Sequence, residues 1–221
     1  MRRLIVSPSL LEIRILLEKL GVIDGISPYE LYDYSDDLSI LISGVGSPAT
    51  IYHVTDILND RQFDQVIQAG LAGSFNPLVR PGELTEVGED CFADLGVDDR
   101  GDFISLFNTK LASPEEPPYT SGLLINPNSG ISGLKKVSAI TVNTVTGSKG
   151  LIDRWKRIYN PDIETMEGAA FFYACLQKEI PCMQIRSVSN MVEPRDRDAW
   201  EIDLALKSLN NWLINFVSNN Y

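Results

Sequence analysis

The chain has 221 residues, 44% of them hydrophobic, and carries a formal net charge of −11 at pH 7. That length suits one α/β unit with a large core, so residues 1–221 are read as a single domain. The acidic balance argues against general binding to nucleic acid or to anionic membranes, both of which call for a basic surface, although a local arginine pair can still meet a small anion.

The opening "MRRLIVSPSL" holds an apolar run too short for a signal peptide. No segment reaches the roughly 20 apolar residues of a membrane span. Within the opening, "RRLIVS" reads as a strand. A helix is expected from Ser9 to Leu20, because Leu10, Leu11, Ile13, Leu16, Leu17 and Leu20 recur with a helical period and Pro8 and Ser9 mark its entrance. "LSILISGVG" is a buried strand running into a glycine turn, after which Ser47 caps a helix with Pro48 at its first position. "QVIQAGLAGS" repeats the strand-to-glycine pattern. "GELTEVGEDCF", "GLLINPN" and "KKVSAITVNTV" are strand-like, and "NTKLASPEEPPYTSG" is an exposed loop. A helix over Ser148–Ile158, a short strand through Met166, a helix opened by Glu167, the strand "CMQIRSVSN" and a last helix from Trp200 to Val217 complete the chain. Alternating strands and helices imply a sheet covered on both faces. Ligands of such sheets lie beyond the carboxyl ends of the strands, where this sequence puts Ser43 to Gly46, Ala69 to Gly73 and Ser187 to Asn190.

His53 is the one histidine and sits at an ordinary helical position, away from any nucleophile elbow. It leaves no histidine cluster for a metal, and there is no Walker loop for a nucleotide triphosphate. The three cysteines, Cys91, Cys175 and Cys182, lack a disulfide or zinc spacing and read as reduced thiols of a cytoplasmic protein.

The stretch "ETMEGAAFFYAC" is the most informative. Its helix is apolar on nearly all sides and therefore buried, yet it begins with Glu167. A buried carboxylate is costly without a partner, so Glu167 has either an internal partner or a polar ligand. Its place after a short strand points it to the same rim as the other strand ends.

Taken in order, Glu12 in the first helix, "AGLAGSF", "ETMEGAA" and "IRSVSN" resemble the nucleoside phosphorylase/nucleosidase superfamily, and the tail "SVSNMVEPRDRDAWEIDLAL" is most similar to the futalosine hydrolase branch. The resemblance covers most of the chain. It implies a three-layer α/β/α sandwich with a mixed central sheet, cleavage of a purine N-glycosidic bond, no cofactor or metal, and a homo-oligomer. Met166 and Glu167 match the ribose-binding pair, and Ala72, Gly73 and Ser74 match the glycine-rich loop near the sugar. Glu12 matches the water-activating glutamate, with an exposed helix glutamate as the alternative. Asn190 matches the position that meets purine N7, where adenine-specific relatives have an aspartate. An amide cannot donate a proton as an acid does, but it can donate a hydrogen bond to N7 or O6, which suits hypoxanthine. Asn143, Thr144 and Val145 lie where relatives flank the purine, without the aromatic residue seen there in the family. Arg195 and Arg197 are positioned to meet the carboxylate of futalosine's tail, or else pair with Glu193, Asp196 and Asp198 on the surface.

The expected activity is hydrolysis of futalosine to release hypoxanthine. The alternatives are a 6-oxopurine nucleoside phosphorylase, for which Arg80 and Arg14 are the only phosphate contacts in view, a methylthioadenosine-type nucleosidase, and a binding protein without catalysis.

Overall fold

The computed structural model of the chain describes residues 1–194 and 196–218, Arg197 by its backbone alone. In chain order the elements are β1 (Arg3–Ser7), α1 (Arg14–Leu20), β2 (Leu31–Ser35), β3 (Leu38–Ile42), α2 (Ser47–Asp60), β4 (Gln65–Ser74), β5 (Leu84–Asp90), β6 (Gly96–Asp99), β7 (Asp102–Ser105), β8 (Leu124–Ile125), β9 (Lys135–Thr141), α3 (Lys149–Ile158), β10 (Ile163–Thr165), α4 (Gly168–Gln177), β11 (Cys182–Met191) and α5 (Ile202–Ser218).

β1 pairs in parallel with β3 on one side and β4 on the other. Its period of two sorts its side chains between two cores. Leu4 and Val6, with Val66 of β4, pack against Val54 and Leu58 of α2 and Phe171, Phe172 and Cys175 of α4. Ile5, with Ile40 and Ile67, packs against Leu16 and Leu17 of α1 and Leu209 and Leu213 of α5. Both faces of the strand are therefore apolar, as in any parallel sheet covered twice. A third cluster joins Ile152 and Trp155 of α3 to Ile140, Val142 and Cys91.

Among the described residues the main sheet has the order β10-β9-β5-β11-β4-β1-β3-β2, with β8 on the side of β5. It is mixed: β11 runs parallel to β4 and antiparallel to β5. This is the expected mixed sheet with flanking helices. The sequence did not reveal that β10 also pairs antiparallel with β4, Ile163 opposite Ser74 and Glu164 opposite Gly73. That pairing closes β4, β11, β5, β9 and β10 into a ring. No helix among the described residues is long and apolar enough to cross a membrane.

Local differences from the sequence reading have physical causes. α1 begins at Arg14, not Ser9, and residues 10–13 form turns. The fully buried Asn210 of α5 holds this segment from outside: its Nδ2 donates to the Glu12 carbonyl at 2.8 Å and its Oδ1 accepts the Leu16 N–H at 2.9 Å. Gly46, not Ser47, is the N-cap of α2, with a φ of 89° that favours glycine. β2 and the hairpin of β6 and β7 went unread because their residues are half-exposed or exposed and carry no apolar period.

Asn210→Ala leaves the buried Leu16 N–H without its acceptor, which costs about 1–3 kcal/mol. The urea midpoint of the variant is expected to fall with little change in the slope of the transition. An unchanged midpoint would show that the Asn210 contacts do not anchor the turn.

Candidate active site

Beyond the carboxyl ends of β1, β4 and β11 lies a cleft of about 250 Å³. Its lining includes Glu12, Leu71, Ala72, Gly73, Val145, Glu164, Met166, Glu167 and Asn190, with Pro8, Val45, Trp200 and Ile202 among its apolar members. Of the residues singled out in the sequence, Glu12, Ala72, Gly73, Val145, Met166, Glu167 and Asn190 thus converge. Ser74, Asn143 and Thr144 are not in the lining. The Ser74 hydroxyl donates to the Asn76 carbonyl at 2.9 Å and closes a turn. Asn143 is exposed and grips Asp94 through its backbone N–H and side-chain amide, at 2.7 and 3.0 Å. Thr144 is exposed. Arg195 and the side chain of Arg197 lie outside the described residues.

Glu167 is the N-cap of α4, yet its carboxylate does not cap the helix. It is turned into the cleft, where Oε1 accepts the Gly46 N–H at 2.9 Å. The preceding residue is latched by the same turn, since the Ser47 hydroxyl donates to the Met166 carbonyl at 3.1 Å. The caps of α4 come from elsewhere: Thr165 Oγ1 accepts the Gly168 N–H at 3.1 Å, and Thr141 Oγ1 accepts the Ala169 N–H at 2.7 Å.

The internal partner of Glu167 is Arg186, with Nη1 3.7 Å from Oε2. Arg186 is fully buried. Its Nε donates to Gln184 Oε1 at 3.1 Å, Nη2 to Gln68 Oε1 at 2.6 Å and Nη1 to the Leu71 carbonyl at 3.5 Å. The guanidinium occupies the space over Gly70, where a Cβ would meet Nη1 and come within 3.1 Å of Glu12 Oε1. Glycine at position 70 is thus a requirement of room. The sequence reading passed over Arg186, although Gln184 and Arg186 carried a signal. They are polar residues two apart, on one face of a strand whose other face holds Met183 and Ile185.

Glu12 reaches the same place from the turn before α1. Its Oε1 accepts the Leu71 N–H at 3.0 Å and its Oε2 the Ser9 hydroxyl at 2.8 Å. Burial pushes its carboxyl above the usual range, and the negative charge of Glu167 adds to this. The Leu71 amide, the Ser9 hydroxyl and the Arg186 guanidinium pull the other way. Two carboxylates and one guanidinium therefore share one poorly hydrated spot, and the burial that raises the Glu12 carboxyl also makes it the stronger base.

The other side of the cleft is a row across three strands. Gly73 is paired with Glu164 of β10 and with Asn190 of β11, and the Val192 side chain lies where a Cβ of residue 73 would sit. Asn190 follows an irregularity in the β11 register. Its Oδ1 accepts the Ser189 hydroxyl at 2.8 Å and its Nδ2 donates to the Met191 carbonyl at 2.9 Å. This leaves a second amide hydrogen to offer. Glu164 accepts the Thr146 N–H at 2.9 Å and the Thr146 hydroxyl. Burial raises its carboxyl, against the pull of both Thr146 bonds. Among the described residues no group of histidine, cysteine, aspartate and glutamate side chains is arranged to hold a metal ion.

Gly70→Ala is expected to displace the Arg186 guanidinium and so weaken its pull on Glu12. The Glu12 carboxyl should then titrate at higher pH than in the parent, as read by carboxyl ¹³C NMR. An unchanged or lower titration would show that Arg186 does not act on Glu12.

A family model described as the phosphorylase superfamily matches residues 2–217. Futalosine hydrolase of Streptomyces coelicolor is 30% identical over 190 residues, covering 81% of this chain and 78% of that protein. The 5′-methylthioadenosine/S-adenosylhomocysteine nucleosidase of Colwellia psychrerythraea is 28% identical over 187 residues, covering 79% and 75%. The solved structure of native futalosine hydrolase of Helicobacter pylori superposes with a TM-score of 0.78 over 99% of this chain and 98% of the other, and at 16% identity it speaks for the fold alone.

Proposed function

The chain belongs to the phosphorylase superfamily, and from that premise we propose that it is an N-glycosyl hydrolase that splits futalosine, or a close 6-oxopurine analogue, into hypoxanthine and the ribosyl remainder. The observation that carries the hydrolytic reading is the charge of the cleft. Among the described residues its lining holds Glu12, Glu164, Glu167 and Glu193 and no lysine or arginine. A phosphate nucleophile would enter against those carboxylates, whereas water would not. Arg14 is engaged with Glu18 at the surface and Arg80 is exposed, so neither favours a phosphate site.

The chemistry follows from the geometry. The bond from C1′ to N9 breaks through a state with positive charge on the sugar. Glu167 accepts hydrogen bonds from the 2′- and 3′-hydroxyls and opposes that charge; such bonds to an ionised group are the stronger kind. Water adds to C1′ on the face away from the base and Glu12 takes its proton, while the base leaves with the electron pair of the C1′–N9 bond, held by a hydrogen bond from the Asn190 amide, and takes up a proton from solvent. Arg186 lies between the two glutamates and opposes the rise that burial imposes on the Glu12 carboxyl. Met166 gives the sugar a deformable apolar contact.

The base side favours a 6-oxopurine. Glu164 and Asn190 flank Gly73, about two strand spacings or roughly 10 Å apart at their backbones. A hypoxanthine lying in the cleft between these two side chains presents N7 and O6 to the Asn190 amide and its N1–H to the Glu164 carboxylate. Adenine has no N1–H and presents an amino group where the amide offers a donor.

Incubation with futalosine, aminodeoxyfutalosine, inosine and methylthioadenosine, with and without phosphate, tests the proposal. Hypoxanthine release independent of phosphate is expected. A requirement for phosphate would overturn the hydrolytic reading, and equal release of adenine would overturn the reading of the base. Glu12→Gln should lower kcat by about 10²–10⁴-fold while ligand binding persists. Turnover close to the parent's would remove Glu12 from the role of base.

A further inference from the structure

Behind the cleft, on the far side of Arg186, lies a carboxylate that the chemistry above does not use. Asp90, at the end of β5, is fully buried. It accepts three hydrogen bonds: from the Cys91 N–H at 2.8 Å and Thr141 Oγ1 at 3.0 Å on Oδ1, and from Gln184 Nε2 at 3.3 Å on Oδ2. Three donors converging on one side chain call for the ionised, acceptor-only form.

Each of two of these bonds leads to one member of the catalytic ion pair. Because Gln184 turns its Nε2 to Asp90, its Oε1 is left facing Arg186 Nε. Because Thr141 gives its hydroxyl proton to Asp90, its oxygen is free to accept the Ala169 N–H at the start of α4, close to Glu167. It also follows that, in the contact of 3.2 Å between Thr141 and Thr165, Thr165 is the donor. Gly168 reports the same arrangement, since a Cβ there would run into Asp90 Oδ2 and Gln184 Oε1.

We propose that Asp90 is a positioning residue that sets the spacing of Arg186 and Glu167, acting on the first through Gln184 and on the second through Thr141 and the start of α4. It touches no substrate. The proposal deepens the nucleosidase reading and, for its kinetic test, rests on it.

The protonation state of Asp90 controls the direction of the relay. Burial pushes its carboxyl up to about 7, against the Thr141 and Gln184 hydrogen bonds, the Arg186 charge and the Cys91 amide. The groups facing it are Gln184 and Arg186 from β11, Thr141 from β9, the backbone of Gly168 from α4, and Cys91 on its own chain, whose thiol is raised by burial and carries no charge near neutral pH. Arg186 is therefore the charge that bears on it. When Asp90 takes up a proton, one of its three donors is displaced. If Gln184 then turns its Oε1 to the new O–H, its Nε2 confronts Arg186 Nε, donor against donor, so the relay holds above about pH 7 and is lost as pH falls through that value.

Asp90→Asn reproduces the protonated form at every pH, because the new amide hydrogens demand an acceptor from Gln184. Adding Gln184→Glu supplies a carboxylate that accepts both from the amide introduced by the first substitution and from Arg186 Nε, and it restores the net charge. Asp90→Asn is expected to lower kcat by about 10²-fold, with KM changed much less, and to abolish the inflection near pH 7. The double variant should recover most of the loss and remain free of the inflection. A simple structural anchor would not be restored by moving its charge to position 184.

A second measurement is independent of substrate. The protection factor of the Arg186 Nε–H against exchange with water, followed by ¹⁵N NMR with Arg186→Lys for assignment, should be high above about pH 7 in the parent. It should drop as pH falls through that value, be low in Asp90→Asn and be high again in the double variant. If Asp90→Asn does not fold, the parent's own titration decides. A parent that releases base from no nucleoside defeats the nucleosidase reading and leaves this NMR test standing. Unaltered kcat and pH profile in Asp90→Asn, or Arg186 exchange that ignores Asp90, overturns the proposal.

Discussion

A fully buried arginine set against a nearly buried glutamate is the constraint around which this chain is built. Charges removed from water cost several kcal/mol each unless their hydrogen-bonding capacity is met in the interior. Arg186 is met by Gln68, Gln184 and the Leu71 carbonyl, and Glu167 by the Gly46 N–H. Much of the unusual composition nearby follows from that demand. Two glutamines occupy strand positions that would otherwise hold Val or Ile. Gly70 and Gly168 leave room for side chains arriving from other strands. The helix after Glu167 is capped by threonines because its own N-cap side chain is employed elsewhere.

Glu167 thus has both of the fates that its sequence context left open. It has an internal partner, and it also lines the cleft. At 3.7 Å the guanidinium neutralises the carboxylate without closing a short bond to it. The side chain therefore keeps acceptor capacity facing the cleft.

The architecture was legible in the sequence where a period was strong. β1, β3, β4 and β11 are largely buried on both faces, and α4 and α5 announced themselves by length and apolar content. Positions in the site were legible where a residue broke its surroundings, as Glu167 does at the head of an apolar helix. Arg186 broke its surroundings as plainly, but a strand buried on both faces masks the break, because no exposed face is expected to contrast with it. Asn143 and Thr144 were out of reach for another reason. Adjacent residues at a strand end point in different directions, so proximity to Val145 in sequence did not carry them into the cleft. Nor could any local pattern place Glu164 opposite Gly73, since that contact depends on β10 crossing to a strand far away in the chain.

That crossing has a consequence for how the protein comes to be competent. The pairing of β10 with β4 joins segments far apart in the chain, as does that of β11 with β4, and such contacts form against loop-closure entropy. Before the β10 pairing forms, the cleft lacks the part of its wall that Glu164 supplies. A ligand lying between Glu164 and Asn190 would hold β10 and β11 on their shared neighbour β4. By mass action such an occupant would favour the fully assembled chain over every partly assembled one and so shield it from proteolysis.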